Sequence, residues 1–148
     1  MQREGDIPLF LNGVSGLGSP FWHPGFASRF AGEGEVWQQA VAVVESIVFL
    51  LQINLEGMTA CTSPPVEIRL SGGLAGLDGF CRKLASLSGV PVHRPVQLEA
   101  TARGCAFLLA NCPHHWPQSD AGALFRPHED AGLRRRYARW KALMGNSL

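Results

Sequence analysis

Charge is in short supply. Only 17% of the 148 residues are Asp, Glu, Lys or Arg, and 13 basic against 12 acidic side chains leave a formal net charge of +1. A balance this close gives no broad positive field. It argues against nucleic acid and anionic membrane as partners, because both are met by strongly basic surfaces. The one basic cluster, Arg134, Arg135, Arg136, Arg139 and Lys141, is interleaved with Leu133, Tyr137, Trp140 and Leu143 at helical spacing. That pattern reads as the solvated face of a terminal helix rather than a binding patch.

Metal-ligand spacing is missing as well. Cys61, Cys81, Cys105 and Cys112 form no paired motif, and His114 and His115 beside Cys112 lie in a proline-flanked loop without a second ligand pair. The four thiols are expected to be free and buried, with Cys81 and Cys105 inside apolar helical patterns. His23 and His128 have no partner that can be assigned from sequence. No Ser, His and Asp arrangement suggests a nucleophile, and there is no internal repeat or low-complexity tract. The polar start Met1 to Asp6 and the short run Ile7 to Leu11, which contains Pro8, do not resemble a secretion signal, so the expected location is the cytosol. The longest apolar region, Val41 to Ile53, is broken by Glu45, Ser46 and Gln52 and falls short of the roughly 20 residues of a membrane span.

What is present suits one globular domain over residues 1–148, burying about 70% of the surface its unfolded chain would expose. The loop and terminal helix of 113–148 are expected to pack on it. Apolar residues from Val36 to Leu55 recur at steps of three and four, which predicts a core helix from about Glu35 to about Met58. Glu45 lies on or beside its apolar stripe, either as a buried, paired carboxylate or as a residue of a cleft. Val66, Ile68 and Leu70 predict a short strand that ends in Ser71 and the glycine pair Gly72 and Gly73. A helix follows from Leu77 to near Gly89, then a strand over Val90 to Arg94 and a helix over Glu99 to Cys112, whose first turn Glu99 should cap. Pro113 to Pro127 reads as loop and His128 to Met144 as the last helix. Strand, helix, strand and helix in this order imply a parallel βαβ unit. A glycine pair between a strand and a helix lets the backbone turn sharply and lets N–H groups approach a bound group.

Several stretches together resemble the carboxy-terminal domain of the FGGY family of carbohydrate kinases. SerGlyLeuGlySerProPheTrp, Ser15 to Trp22, is similar to the family's GlyLeuGlyAlaProTyrTrp loop. Ile68 to Val92 resembles the family segment that runs from the glycine pair through a helix to a GlyXxxProVal strand, and Glu99 to Ala110 is close to GluXxxThrAlaXxxGlyAlaAla. Val43 to Phe49 resembles the helix that carries LeuGluGlyIleAlaPhe.

The resemblance implies an α/β fold, the C-terminal half of the actin-like, ribonuclease H-like ATPase fold, with short parallel strands, βαβ units and a long core helix. It implies ATP with Mg²⁺ as cofactors, a sugar or polyol as the substrate held by a preceding domain, and no catalytic base or metal ligand within this chain. Gly72 and Gly73 would then lie against the nucleotide, with Leu74 and Leu77 flanking the adenine. The family commonly has Asn at the position of Leu77, Asp at Ser86 and Arg at Val41. An isolated half would leave a sheet edge and an apolar face uncovered, so either a homodimer or poor solubility is expected. A second reading is a relative that keeps the fold as a non-catalytic binding module.

Overall fold

The computed structural model describes residues 7–116 and 121–147; the polar start Met1 to Asp6 lies outside them. The chain falls into two compact units, Met1–Pro64 with Glu129–Leu148, and Pro65–His128.

The first unit is organised around one short strand. β1 (Leu9–Leu11) is buried along its whole length and pairs antiparallel with β2 (Arg29–Ala31), where Phe10 sits opposite Phe30 with ring centroids 4.8 Å apart. The long helix α1 (Val36–Thr59) and the last helix α4 (Ala131–Gly145) both pack on β1. α1 starts at Glu35, whose N–H donates to Gln38 Oε1 at 2.6 Å. α4 starts at Asp130, whose carboxylate accepts from the Leu133 N–H at 2.8 Å. Such caps satisfy backbone donors that the first helical turn leaves without partners.

The face of α4 that carries Leu133, Arg136, Tyr137, Trp140 and Met144 is buried at steps of three and four. Trp140 and Phe49 are both within 1% of complete burial, their rings lie 5.7 Å apart, and the Trp140 indole N–H donates to Phe10 O at 3.1 Å. A buried ring of this size contributes about 1.5–3 kcal/mol through area alone. Its polar edge keeps a partner, so the burial carries no penalty.

Two expectations are settled here. Glu45 is buried, and Arg136 donates to it twice, from Nε at 2.8 Å and from Nη2 at 2.7 Å. It is therefore the paired carboxylate of a helix–helix contact. Arg136 in turn departs from the solvated cluster in which the sequence placed it, while Arg134, Arg135, Arg139 and Lys141 are exposed. The helix expected from about Glu35 to about Met58 is α1, but its apolar run does not fall short of a membrane span as expected. α1 holds 24 residues without a break at Glu45, Ser46 or Gln52, and by length and composition alone it is long and apolar enough to cross a membrane. Its buried Glu45 and its packing on β1 account for it as a core helix.

The second unit is a three-stranded sheet with two helices. β3 (Ile68–Arg69) and β4 (Val92–Pro95) are parallel and joined through α2 (Asp78–Ser88), the predicted βαβ unit. α2 buries Phe80, Cys81, Leu84 and Ala85 and stops at Gly89, whose φ of +73° suits glycine. β5 (Gly122–Phe125) pairs antiparallel with β4, in a stretch read from sequence as loop. Gly122 hides the strand: a residue poor in strand propensity is required because a Cβ there would collide with Arg94 O. α3 (Ala100–Leu109) is apolar yet has no buried residue. Cys105 on it is exposed, as are Cys61 and Cys112, so only Cys81 among the four thiols is buried as expected. Burial pushes the Cys81 thiol pKa up. Glu99 precedes α3, but its side chain accepts no capping hydrogen bond, contrary to expectation.

Candidate functional site

The glycine pair stands where the sequence placed it, at the end of β3 and before α2. Leu70 extends the pairing of β3 through its N–H to His93 O at 2.9 Å, and the chain then turns at Gly72, with φ +90° and ψ 175°. That φ lies in the region that favours glycine over residues with a Cβ. Gly73–Gly76 forms one turn of 3₁₀ helix, in which the Ala75 N–H donates to Gly72 O at 3.0 Å, and Leu77 is the N-cap of α2.

One side chain braces this turn. Arg94 Nη1 reaches back from β4 to donate to Ala75 O at 3.1 Å and to Asp78 Oδ1 at 2.8 Å. Ala75 is fully buried and its carbonyl also accepts from Cys81 Sγ at 3.4 Å, and Asp78 sits in the first turn of α2, where a carboxylate is favoured by the helix dipole. The Arg94 guanidinium also lies 5.1 Å from the ring centroid of Phe125 on β5. Sequence reasoning missed Arg94, because a strand-end arginine before Pro95 gives no sign of a contact 19 residues back. A second missed partner is His128: its Nδ1 lies 2.7 Å from the Oγ of the buried Ser86, in a partly buried hydrogen bond.

The outer face of the turn is open. A Cβ built on Gly72, Gly73 or Gly76 would meet nothing within 4 Å, and Leu74 and Leu77 are 42% and 48% exposed. The Gly72 N–H is committed to Leu98 O at 2.9 Å, so a ligand at the turn meets the groups from Gly73 onward. Two hollows lie beside it. One, of about 400 Å³, is bounded by Gly76, Arg94, Val96 and Ala123; the other, of about 200 Å³, by Arg69, Ser71, Gln97 and Arg103. Neither is lined by Gly72, Gly73, Leu74 or Leu77. Among the described residues no group of three or more His, Cys, Asp or Glu could hold a metal ion.

Residues 2–111 match the model of the FGGY family of carbohydrate kinases, C-terminal domain. The chain belongs to this family. Glycerol kinase from Cereibacter sphaeroides (strain ATCC 17025 / ATH 2.4.3) is 34% identical over 150 residues, which cover 90% of this chain and 29% of that protein. Glycerol kinase from Rhodospirillum rubrum is 30% identical over 149 residues, with the same coverage of 90% and 29%. The chain thus spans about three tenths of the length of these curated FGGY relatives.

Solved structures agree on the fold. Plasmodium falciparum glycerol kinase with ADP superposes with a TM-score of 0.72 at 19% identity, covering 95% of this chain and 31% of that one. Xylulose kinase from Rhodospirillum rubrum does so with a TM-score of 0.72 at 16% identity, covering 98% and 31%. The FGGY chain therefore has the α/β architecture of the actin-like ATPase fold, as the resemblance of its motifs implied. Its mixed β3, β4 and β5 sheet adds an antiparallel strand to the parallel pair.

Proposed function

We propose that this chain is the ATP-binding part of a cytosolic carbohydrate kinase, one that passes the γ-phosphoryl group of ATP to a hydroxyl of a sugar or polyol. The observation that carries the proposal is the open turn from Gly73 to Leu77, set between β3 and α2 in a chain that belongs to the FGGY family. Bound ATP supplies the phosphoryl group. The chain's own part is to hold the nucleotide: Gly73 allows close approach of the backbone, Leu74 and Leu77 offer exposed apolar surface to a flat base, and Arg94 keeps the turn in shape. No described residues form a cage for Mg²⁺. In this reading the ion arrives on the phosphates, as Mg²⁺ commonly does.

Phosphoryl transfer depends on positioning and on charge stabilisation around the transferred group. The matched domain offers the turn but, in this reading, neither the base nor the sugar site, so the chain alone is expected to bind nucleotide without turning it over. The exposed Val96, Leu108 and Leu109 favour pairing with a second copy when it is alone. Titration of the labelled chain with ATP, followed by amide NMR shifts, tests the site. The shifts should centre on residues 72–77; shifts absent there would overturn the reading. Leu77 favours the second reading, a module that keeps the fold without the chemistry: it stands as the α2 N-cap with no side-chain hydrogen bond, where the family commonly has Asn. Failure to bind ATP together with an intact fold would favour that module.

A further inference from the structure

The smaller hollow beside the turn carries two guanidinium groups. Arg69, at the end of β3, and Arg103, on α3, both line it, together with Ser71 and Gln97. Its volume of about 200 Å³ is below the 300–1,000 Å³ usual for sites that take a drug-sized molecule, so the hollow suits a small group. Arginine offers a planar fork of donors that matches an oxyanion, and a hydroxyl and an amide add further donors to it. Arg69 Nε is bound to Glu67 Oε1 at 3.1 Å, which offsets part of one charge. Arg103 is the principal remaining charge, and its guanidinium is held 5.6 Å from the Trp116 ring centroid. Stacking of this kind limits the side chain's freedom and lowers the cost of fixing it on a ligand.

We infer that this hollow is a subsite for a phosphate-type oxyanion, with Arg103 as its main ligand and Arg69, Ser71 and Gln97 as supporting donors. The oxyanion has two possible sources, the phosphates of a nucleotide held at the neighbouring turn or a separate phosphorylated molecule. Only the first of these rests on the proposed function.

The test is calorimetric titration of the full chain with inorganic phosphate, adenosine and ATP. Wild type should bind inorganic phosphate saturably, and Arg103→Gln should weaken that binding by about tenfold, the scale of one lost charge-assisted hydrogen bond. Arg103→Lys keeps the charge but not the fork and should fall between the two. Adenosine binding should be the same in all three proteins. If ATP weakens along with phosphate in Arg103→Gln, the nucleotide is the source; if ATP is unchanged while phosphate weakens, a separate phosphorylated ligand is. No saturable phosphate binding to wild type, or equal phosphate affinity in wild type and Arg103→Gln, would overturn the subsite. Loss of adenosine binding alone would count against the nucleotide turn and leave the phosphate result standing.

Discussion

The two units use arginine in opposite ways. In the first, Arg136 is buried and gives two hydrogen bonds to the buried Glu45, joining α4 to α1 inside the core. In the second, Arg94 is only partly covered and holds a backbone turn, while Arg69 and Arg103 border an open hollow. The first arrangement fixes a core, and breaking it should affect stability. The second shapes a surface, and altering it should affect ligands more than folding.

The largest expected effect is on the buried pair. Arg136→Met would strip Glu45 of both guanidinium bonds while leaving the carboxylate inside, a change that typically costs about 3–5 kcal/mol. Adding Glu45→Met should restore much of that loss, because two apolar side chains of similar size bury no charge. Urea unfolding of the single and double variants measures this. A double variant as unstable as the single one would mean that the pair is not acting as a unit.

A smaller effect is expected at the brace. Arg94→Gln should leave the buried Ala75 carbonyl without its guanidinium partner, at a cost of about 1–3 kcal/mol in the second unit. Nucleotide binding should weaken further than that loss of stability explains, since the turn itself is loosened. Comparing the unfolding midpoint with ATP affinity in the same variant separates the two contributions.

The smallest effect is a pH dependence of the first unit. Partial burial pushes the Glu56 pKa up, but hydrogen bonds from Lys141 at 2.7 Å, Tyr137 at 2.9 Å and Gln52 at 3.3 Å outweigh it and bring the net value down. The sign follows from linkage: a carboxylate held lower in the folded state stabilises it above the unfolded pKa, and that contribution is lost as pH falls through the folded one. Wild type should therefore lose stability from the ordinary carboxylate range downward, and Glu56→Gln should show a flatter profile. Burial, helped by the same carboxylate, raises the Tyr137 hydroxyl far above its usual range, so that group stays protonated throughout.

Much of this was legible in the sequence because it rested on periodicity. The apolar steps of Val36 to Leu55 gave α1, and those of Leu133, Tyr137 and Trp140 gave the buried face of α4. The strand, glycine pair and helix from Ile68 to Ser88 could be read because glycine marks a turn that other residues strain to make. What was not legible depends on long-range pairing. Arg136 sits among four charged neighbours, and nothing local distinguishes it; its partner Glu45 is 91 residues away. β5 was hidden by Gly122, chosen for clearance and not for strand propensity. At the candidate site the turn was found from sequence, but Arg94 and Arg103 were not, because each acts on a segment that only the fold brings near.

The central claim is that the turn after β3 holds an adenine nucleotide, and Gly73→Asp tests it most directly. Gly72 has φ +90°, so any side chain there would strain the backbone, but Gly73 has no such φ and open space around its Cβ position. An aspartate at Gly73 should leave the fold intact and place a negative charge where the phosphates approach. Calorimetric titration with ADP should show binding to wild type and at least about a tenfold loss in Gly73→Asp, the scale of about 1.4 kcal/mol, with unfolding unchanged. Equal ADP affinity in the two proteins, or none in wild type, would contradict the account.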